Sequence, residues 1–412
     1  MSVKPKPLGP IPQGFSVIDG ELAIGGRTAS ELIASSPHTP LFVYSRDMLR
    51  ARMDNLRAAM PERIRVNYAI KANSFEPVLS LMKELSDGLD IASGGELEMV
   101  KAIGADMANV SFAGPGKRNS EIEAAIAAGA TLNLESEGEA RRALDIADKL
   151  GKVPRLAIRV NPEFELRGSG MKMGGGAKPF GIDAERVPAL AKEIIATGCE
   201  WRGLHIFTGS QALSAEAIAE AQCNVLSLAA SLTEKMGAPL PKLNMGGGFG
   251  IPYFHGDEPV DIRHVGEQLD EHFSALPNEL SGTEFFLELG RYLVGEAGVY
   301  LTRILDKKVS HGETYLVTDG GLHHQLAASG NFGTVIRRNY PAAIANRFDA
   351  EPSAIATIVG CLCTPLDRLA DRAMLPEADV GDLVAIFCAG AYGASASPSA
   401  FLGQGPAAEM LV

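Results

Sequence analysis

A lysine, a run of three glycines and a Gly-Arg pair each stand directly after a short β-rich segment of this 412-residue chain. They are Lys71, Gly246–Gly248 and Gly290-Arg291. A lysine amine that is shielded from water can condense with an aldehyde. Glycine N–H groups and an arginine can hold a phosphate group. Together the three features predict a site for a phosphate-bearing cofactor whose aldehyde is captured by the lysine.

Each feature has an ordinary explanation when it is taken alone. A lysine after a strand is more often a solvated end residue, and a triple glycine is usually a turn. The chemical interpretation requires a fold that brings the features to one place, so it depends on the elements that carry them.

Eight short β-rich segments alternate with amphipathic helical stretches between residues 65 and 289. The predicted strands are Arg65–Ile70, Gly88–Ile91, Asn109–Phe112, Thr131–Leu134, Arg155–Val160, Gly203–Phe207, Lys242–Met245 and Glu284–Leu289. The predicted helices are Glu76–Ser86, Glu96–Ile103, Ser120–Ala128, Glu137–Leu150, Ala184–Ala196, Ala215–Met236 and Ile262–Leu276. Eight β/α units indicate a (β/α)8 TIM barrel of the α/β class. An open doubly wound sheet is the alternative, but its glycine fingerprint is normally confined to the first unit or two.

The residues that follow the eight strands should face one mouth, because the active site of a TIM barrel lies at the C-terminal ends of its strands. In strand order they are Lys71–Asn73, Ser93–Glu96, Gly114–Lys117, Glu135-Ser136, Asn161-Pro162, Thr208–Ser210, Gly246–Gly248 and Gly290-Arg291. This predicted convergence favours a cofactor site over a set of unrelated turns.

The pattern changes after Arg291, where β-like segments follow one another with few helices between them. These segments are Val299–Leu305, Thr314–Val317, Ser353–Val359 and Leu383–Phe387. They predict a second, all-β domain. We expect residues 1–40 to join that domain, residues 41–290 to form the barrel and residues 291–412 to form the C-terminal β domain. A helix predicted at Ser45–Met60 would lead into the barrel.

The formal net charge of −12 argues against binding to nucleic acids or to anionic membranes, because both need an excess of lysine and arginine. The sequence has no apolar run of about 18 residues that could span a bilayer. Residues 1–12 lack the apolar centre of a secretory signal. The five cysteines lack metal-type spacing with histidine. We therefore expect a reduced, cytoplasmic setting and no metal site.

The segment Tyr68–Asn73 resembles the cofactor-lysine motif of the fold-type III pyridoxal-phosphate (PLP) decarboxylases, which include diaminopimelate, ornithine and arginine decarboxylases. The likeness continues, in the family's order, through Asp90–Glu96, Arg159–Pro162, Gly246–Gly250, Glu288–Arg291, Gly360–Asp367 and Gly390–Gly393. It covers the chain from about residue 40 to residue 403. It implies an alanine racemase-like fold, pyridoxal 5'-phosphate as the cofactor, and decarboxylation of an amino-acid-like substrate.

The resemblance also implies roles for individual residues. Lys71 would bind the cofactor covalently, and Glu288 would pair with the protonated pyridine nitrogen, although a strand-end carboxylate often just pairs with an arginine. The residues that would complete the cofactor site are Ser210, Gly246, Gly247, Gly248, Gly290, Arg291 and Tyr392. Cys363 would enter the neighbouring subunit's site in a homodimer with shared active sites, and would protonate the carbanion after CO2 leaves. A free cysteine is otherwise usually a small buried hydrophobe.

Two departures from the family's pattern lie close to the cofactor-binding motifs. The family commonly reads His-x-His-x-Gly-Ser on the sixth strand, and this chain has Phe207 in place of the second histidine. Strand alternation puts His205 and Phe207 on the same face. We therefore expect Phe207 to take the stacking position on the cofactor, and His205 is a weaker candidate for substrate binding. Asn244 stands where aspartate is common.

The positions that would bind substrate depart further from the family. Diamino-acid decarboxylases place Asp or Glu directly after the Cys363 position, where it binds the distal ammonium, whereas this chain has Thr364. The arginine with which diaminopimelate enzymes hold the far carboxylate has no clear counterpart. Arg337 and Arg338 are its candidate substitutes.

Four features together are similar to a branch that decarboxylates a glutamyl group tethered to an acyl-carrier protein, and to exosortase-associated decarboxylases. They are Met171–Gly175, the aromatic residue at 207, Thr364-Pro365 and His323-His324. A glutamyl group, free or carrier-bound, is therefore the leading candidate substrate. A diaminopimelate decarboxylase is the alternative. An amino-acid racemase is less favoured, because racemases of this fold place Arg rather than Glu at the pyridine nitrogen. A non-catalytic PLP carrier would be a single barrel, without the β-like region after Arg291.

Overall fold

The computed structural model describes residues 4–330 and 337–412, and the chain divides into two compact units. The barrel unit comprises Met53–Gly250 and Val260–Gly290. The sheet unit comprises Met1–Arg52, Ile251–Pro259 and Arg291–Val412. Each unit is thus assembled from separate stretches of the sequence.

Eight parallel strands form a closed cylinder in the barrel unit. In chain order they are Ile64–Ala69, Gly88–Ile91, Val110–Phe112, Thr131–Leu134, Arg155–Asn161, Glu200–Ile206, Lys242–Gly247 and Glu284–Leu289. The cylinder closes because the eighth strand pairs with the first, with Phe285 opposite Ile64 and Leu289 opposite Tyr68. The predicted TIM barrel is therefore confirmed, and the open doubly wound sheet is excluded. A two-residue strand, Ile182–Asp183, also pairs with the fifth strand.

A helix follows each of the first seven strands. These helices are Glu76–Leu85, Gly94–Ala102, Asn119–Ala128, Glu137–Leu150, Val187–Ala196, Ala215–Met236 and Ile262–Ser274, with 3-10 turns at Ile70–Ala72, Met107–Asn109 and Asn278–Leu280. Ser93, Ser136 and Ser214 cap three of the helices, because each side-chain oxygen accepts a backbone N–H of the first turn. Gly151 and Gly237 end two helices in the left-handed conformation that favours glycine.

The barrel interior contains amide side chains as well as the apolar ones that usually fill it. Tyr68 and Phe285 are fully buried between the strands. A cavity of about 50 Å³ is lined in part by Asn67, Asn133 and Asn244. Polar side chains of the strands therefore line part of the barrel interior.

The sheet unit contains an eight-stranded sheet and a three-stranded one. The large sheet is formed by Leu41–Tyr44, Gly298–Ser310, Glu313–Thr318, Ala342–Ile344, Ala354–Val359, Arg368–Leu375, Leu383–Ile386 and Ala408–Leu411. The small sheet is formed by Ser16–Ile18, Glu21–Ile24 and Arg27–Thr28. The longest strand, Gly298–Ser310, pairs antiparallel with three neighbours. The predicted second, β-rich domain is confirmed.

This unit is not purely β, which differs from the all-β prediction. Its helices are Ala29–Ser35, the start of Arg46–Ala59, and Arg291–Val294, with 3-10 turns at Gly295–Ala297, Ala345–Arg347, Ala394–Ala396 and Phe401–Gly403. Thr28 and Glu31 form a reciprocal capping box at the first of these helices, which explains why it forms inside a β-rich stretch. In the described parts of both units, each helix is too short or too polar to cross a membrane.

The strand Leu41–Tyr44 lies in the sheet unit, whereas the sequence analysis starts the barrel at residue 41. All four of its residues are buried. It pairs antiparallel with the start of Gly298–Ser310 and parallel with Ala408–Leu411, so both of its edges are used. Residues 251–259 also belong to the sheet unit, although they fall between the seventh and eighth barrel strands in the sequence.

Candidate active site

Lys71 lies in the 3-10 turn Ile70–Ala72, directly after the first barrel strand. The hydroxyl of buried Tyr68 donates a hydrogen bond of 2.7 Å to the carbonyl of Asn73 and so closes the turn. Gly290 lets the end of the eighth strand approach, because a Cβ there would lie 2.9 Å from a side-chain carbon of this turn. The Lys71 side chain is 44% exposed, so its amine is accessible to a small molecule.

Glu288, the penultimate residue of the eighth strand, has a buried carboxylate that faces the lysine. Its Oε1 lies 3.6 Å from Lys71 Nζ. Its Oε2 accepts a hydrogen bond of 3.2 Å from Asn244 Nδ2 and lies 2.9 Å from His205 Nε2. Burial opposes ionisation, but the charge on Lys71 and the contact with His205 outweigh it and hold the pKa of Glu288 well below its usual range. The site therefore holds a permanent anion beside the lysine.

Two further acids surround this pair. Asp90 is 1% exposed, and neither of its carboxylate oxygens has a hydrogen-bond partner within the described chain. Burial, and then the negative charge of Glu288, raise the pKa of Asp90 well above its usual range. Glu96 accepts a hydrogen bond of 2.6 Å from the N–H of Ala92, and burial raises its pKa. The sequence analysis placed Asp90 and Glu96 in a motif but gave them no role.

The three glycines after the seventh strand pack against the ends of the sixth and eighth strands. A Cβ on Gly246, which has a φ of +69°, would lie 2.8 Å from the carbonyl oxygen of Ile206. A Cβ on Gly247 would overlap the carbonyl of Glu288, and one on Gly248 would overlap the carbonyl of Gly209. Glycine is therefore required at all three positions. The N–H of Gly246 donates to Asn244 Oδ1 at 2.9 Å, so that N–H is engaged within the chain.

Phe207 and Ser210 follow the sixth strand. Lys71 Nζ lies 6.0 Å from the centroid of the Phe207 ring, so the phenyl ring borders the lysine. Ser210 pairs with Met171 in a two-stranded antiparallel ribbon. Met171, at the start of the Met171–Gly175 feature, is thus paired with the segment that carries Ser210.

In the sheet unit, Arg291 is held between aromatic rings. Its Nη1 donates a hydrogen bond of 2.7 Å to the hydroxyl of Tyr253, and its guanidinium carbon lies 4.7 Å from the centroid of the Tyr392 ring. Burial opposes its charge, but Tyr253 and Tyr392 raise the pKa of Arg291. Its Nε is buried and has no partner among residues 4–330 and 337–412. Tyr253 lies outside the motifs that mark the other residues of this cluster, so the sequence alone does not predict its role.

The loop that carries Cys363 and Thr364 is fixed at its base by Asp367. The carboxylate of Asp367 accepts hydrogen bonds from the N–H groups of Leu322, at 2.7 Å, and Leu362, at 2.9 Å. Cys363 is exposed, so its thiol is available for chemistry. Thr364 donates its N–H to the carbonyl of Leu362 at 2.8 Å, which forms a tight turn.

The two consecutive histidines of the sheet unit are buried and in ring contact. The ring centroids of His323 and His324 lie 3.8 Å apart. His324 Nδ1 lies 3.0 Å from the hydroxyl of Tyr300, and its Nε2 lies 3.0 Å from the carbonyl of Gly405. Burial, and then His323, lower the pKa of His324 to about 4. The pair is therefore neutral near pH 7 and does not supply a cation.

Arg337 and Arg338 make different contacts. Arg337 Nη2 donates a hydrogen bond of 3.2 Å to the carbonyl of Leu366, in the loop that follows Thr364. Its Nη1 is buried and has no hydrogen-bond partner in the described part of the chain. Arg338 instead lies over the ring of Phe254, with 3.8 Å between its guanidinium carbon and the ring centroid. Of the two arginines, only Arg337 touches the loop that carries Thr364.

The predicted site residues fall into two groups. Those of the barrel unit are Lys71, His205, Phe207, Ser210, Gly246, Gly247, Gly248, Glu288 and Gly290, and those of the sheet unit are Arg291, Arg337, Arg338, Cys363, Thr364 and Tyr392. Within the barrel unit, the lysine, the carboxylate and the phenyl ring lie next to one another, as expected for residues that follow strands of one barrel.

The barrel-unit constellation fits the chemistry of pyridoxal 5'-phosphate. An accessible lysine amine suits its aldehyde, a buried carboxylate suits its pyridine nitrogen, and an aromatic ring suits its face. Neither carboxylate oxygen of Asp90 has a hydrogen-bond partner in the described part of the chain. The buried region beside the lysine can therefore still bind a polar group. The residues present therefore fit this cofactor.

Comparison with known proteins agrees with this fit. The sequence model described as "Pyridoxal-dependent decarboxylase, pyridoxal binding domain" matches residues 46–295. This match spans more than half of the chain and contains every barrel-unit residue named above.

Two curated relatives are similar over most of their length. The L-glutamyl-[BtrI acyl-carrier protein] decarboxylase of Niallia circulans is 35% identical over 379 residues, which cover 90% of this chain and 88% of the relative. The diaminopimelate decarboxylase of Aquifex aeolicus is 34% identical over 402 residues, which cover 96% of this chain and 91% of the relative. Two relatives named for different substrates are thus almost equally similar to this chain.

A solved structure supports the fold. The diaminopimelate decarboxylase of M. jannaschii in co-complex with L-lysine superposes with a TM-score of 0.87 at 25% identity, covering 97% of this chain and 93% of that one.

Proposed function

We propose, from the premise that this chain belongs to the pyridoxal-dependent decarboxylases, that its substrate is an aminoacyl group with an uncharged or anionic distal end. The chain is a carboxy-lyase of fold type III, and pyridoxal 5'-phosphate is its cofactor. A glutamyl group, presented by an acyl-carrier protein or free, is the leading candidate.

The cofactor-binding roles are assigned as follows. Bound PLP supplies the electron-withdrawing ring that takes up the electron pair of the broken C–CO2 bond. Lys71 holds the cofactor through its amine. Glu288 keeps a negative charge for the ring nitrogen, and Phe207 packs against the ring. The proposed phosphate contacts are Ser210, Gly247, Gly248, Arg291 and Tyr392, and Gly246 and Gly290 are proposed to shape the backbone around the cofactor.

The observation that carries the substrate proposal is the charge of the Cys363 loop. Residues 361–366 contain no acidic side chain, and Thr364 is the residue directly after Cys363. The carboxylate that follows, Asp367, is 2% exposed, and both of its oxygens accept backbone N–H groups of the same unit. The charged group that does contact the loop is the cation Arg337, through the carbonyl of Leu366. The loop therefore favours an anion or a carbonyl over an ammonium group.

The energetic difference is large enough to decide specificity. An ammonium that leaves water without a partner costs several kcal/mol, on the order of the penalty for any uncompensated buried charge. A carbonyl or carboxylate near Thr364 and Arg337 can instead accept hydrogen bonds from a hydroxyl and a guanidinium. The Niallia circulans relative, which acts on a glutamyl carrier protein, supports the same substrate class.

Cys363 is proposed to donate the proton that replaces CO2. Its thiol is exposed, in a loop whose base is anchored by Asp367. The S–H bond breaks, the proton goes to the carbon that lost CO2, and the sulfur keeps the electron pair. We propose that the site it reaches is that of a second subunit, in a homodimer with shared active sites.

The test is a substrate panel scored by release of CO2 with saturating PLP. The panel contains a glutamyl-carrier-protein conjugate, free glutamate, diaminopimelate, ornithine and lysine. The proposal expects one of the glutamyl substrates to give the highest kcat/KM. A kcat/KM of about 10⁴ M⁻¹s⁻¹ or more for a free diamino acid, which is typical of an enzyme with its own substrate, would contradict it.

A further inference from the structure

We propose that Asn244 is a positioning residue that ties the glycine loop after the seventh strand to the carboxylate of Glu288. One side chain would then position two groups. They are the glycine loop, which is proposed to lie at the phosphate of the cofactor, and the carboxylate, which is proposed to pair with its ring nitrogen. The inference rests on that assignment.

The geometry of Asn244 uses both ends of its amide. The residue lies on the seventh strand and is 8% exposed. Its Nδ2 donates to Glu288 Oε2 at 3.2 Å, and its Oδ1 accepts the N–H of Gly246 at 2.9 Å. An aspartate, which is common at this position in the resembling family, would lack the donor when ionised. An amide is therefore the group that satisfies both partners at once.

The link to Gly246 sets where the glycine loop begins. Gly246 has a φ of +69°, and its backbone lies so close to the sixth strand that a Cβ would lie 3.1 Å from atoms of Phe207. The hydrogen bond from its N–H to Asn244 holds this left-handed turn from inside the barrel. The loop is thus anchored by a side chain that also touches Glu288.

The link to Glu288 adds a hydrogen bond without adding charge. The carboxylate already has the buried acid Asp90 as an electrostatic neighbour. A third acid at position 244 would be a like charge in a region of low dielectric, which favours a shared proton over full ionisation. Asn244 avoids that repulsion beside a carboxylate whose pKa is lowered by Lys71 and His205.

The test compares Asn244→Asp with Asn244→Ala. Asn244→Asp keeps the acceptor for Gly246 and replaces the donor to Glu288 with a charge. We expect PLP affinity within about threefold of wild type, a kcat lower by about tenfold or more, and a bound-cofactor absorbance spectrum that changes with pH between 6 and 9 where the wild-type spectrum does not. Asn244→Ala removes both links, so its PLP affinity should also fall by about tenfold or more.

The matched control is Asn133→Asp. Asn133 is also buried in the barrel, at 2% exposed, and its Nδ2 donates to Ser111 Oγ rather than to Glu288. This variant reports the general cost of an acid inside the barrel, and its cofactor spectrum should match that of wild type.

Two results would overturn the proposal. One is an Asn244→Asp spectrum with the same pH dependence as that of wild type and Asn133→Asp. The other is an Asn244→Ala variant that folds and binds PLP as tightly as wild type. Neither readout uses a substrate, so failure of the glutamyl proposal in the substrate panel would leave this result unchanged. If Asn244→Ala does not fold, the Asn244→Asp spectrum decides.

Discussion

Lys71 Nζ lies 3.6 Å from Glu288 Oε1, where the ends of the first and eighth barrel strands meet. The lysine is 44% exposed and the glutamate 3% exposed, so the amine is reachable and the carboxylate is not. This asymmetry suits a lysine that must take up a cofactor and an acid that must stay charged beside it.

Replacing Glu288 with glutamine should lower kcat far more than it lowers PLP affinity. The amide keeps the shape and loses the charge that would stabilise a protonated ring nitrogen. We expect kcat to fall by about 100-fold or more, the scale of a lost electrostatic group. The Kd for PLP should change by less than about tenfold. Steady-state kinetics and a fluorescence titration with PLP measure the two effects. A variant that loses cofactor affinity but keeps its rate would show that the assigned role is wrong.

The buried His324 should make stability fall as the pH is lowered. Its pKa of about 4 lies below the value of about 6.5 for an unfolded histidine. The unfolded state therefore binds more protons between these values, and the free energy of unfolding decreases as the pH falls from about 6.5 towards 4. A shift of this size corresponds to about 3 kcal/mol.

His324→Gln should remove most of that pH dependence. Urea unfolding of wild type and variant at pH 4.5 and pH 7 gives the measurement. The control is His38→Gln, at an exposed histidine of the same unit, which should keep the wild-type slope. An unchanged pH dependence in His324→Gln would mean that the buried ring does not carry the effect.

Subunits with different lesions should complement one another if the active sites are shared. Lys71→Ala and Cys363→Ala chains are each expected to be inactive. After mixing and subunit exchange, random pairing gives half heterodimers with one intact site each, so about a quarter of the wild-type activity should return. A chain that carries both lesions is the control and should rescue neither. No recovery after proven exchange would argue that each site is built within one chain.

Thr364→Asp should shift specificity towards diamino acids. It introduces a carboxylate at the position where the resembling diamino-acid decarboxylases have one, and that carboxylate can pair with a distal ammonium. We expect kcat/KM for diaminopimelate or ornithine to rise by about tenfold, or 1.4 kcal/mol. Thr364→Asn is the matched control without the charge. Equal effects of the two substitutions would show that charge at this position does not select the substrate.

The barrel could be predicted from the sequence because the strand and the helix of each β/α unit have their own local sequence pattern. The strands Gly88–Ile91 and Thr131–Leu134 have the predicted bounds, and so does the helix Ala215–Met236. Leu41–Tyr44 was missed. Four consecutive buried apolar residues show no alternation, and the partners of this strand lie more than 250 residues away in the sequence.

The strand-end residues of the candidate site could also be predicted from the sequence. One rule, that strand ends share a mouth, placed Lys71 with Gly246–Gly248 and Gly290-Arg291, and the family resemblance added Glu288. The rule does not reach contacts made by loops. The hydrogen bond from Arg291 to Tyr253 and the anchoring of the Cys363 loop by Asp367 join distant segments, and no local pattern marks them.

The most direct test of the account is to find which lysine carries the cofactor. Borohydride reduction of the PLP-loaded enzyme makes the bond between the lysine nitrogen and the cofactor's aldehyde carbon permanent. Digestion and mass spectrometry then locate the modified residue. We predict a single modification at Lys71, and no modification and no turnover in Lys71→Ala under saturating PLP. Modification of a different lysine, or a Lys71→Ala enzyme that still releases CO2, would contradict the assignment from which the other roles follow.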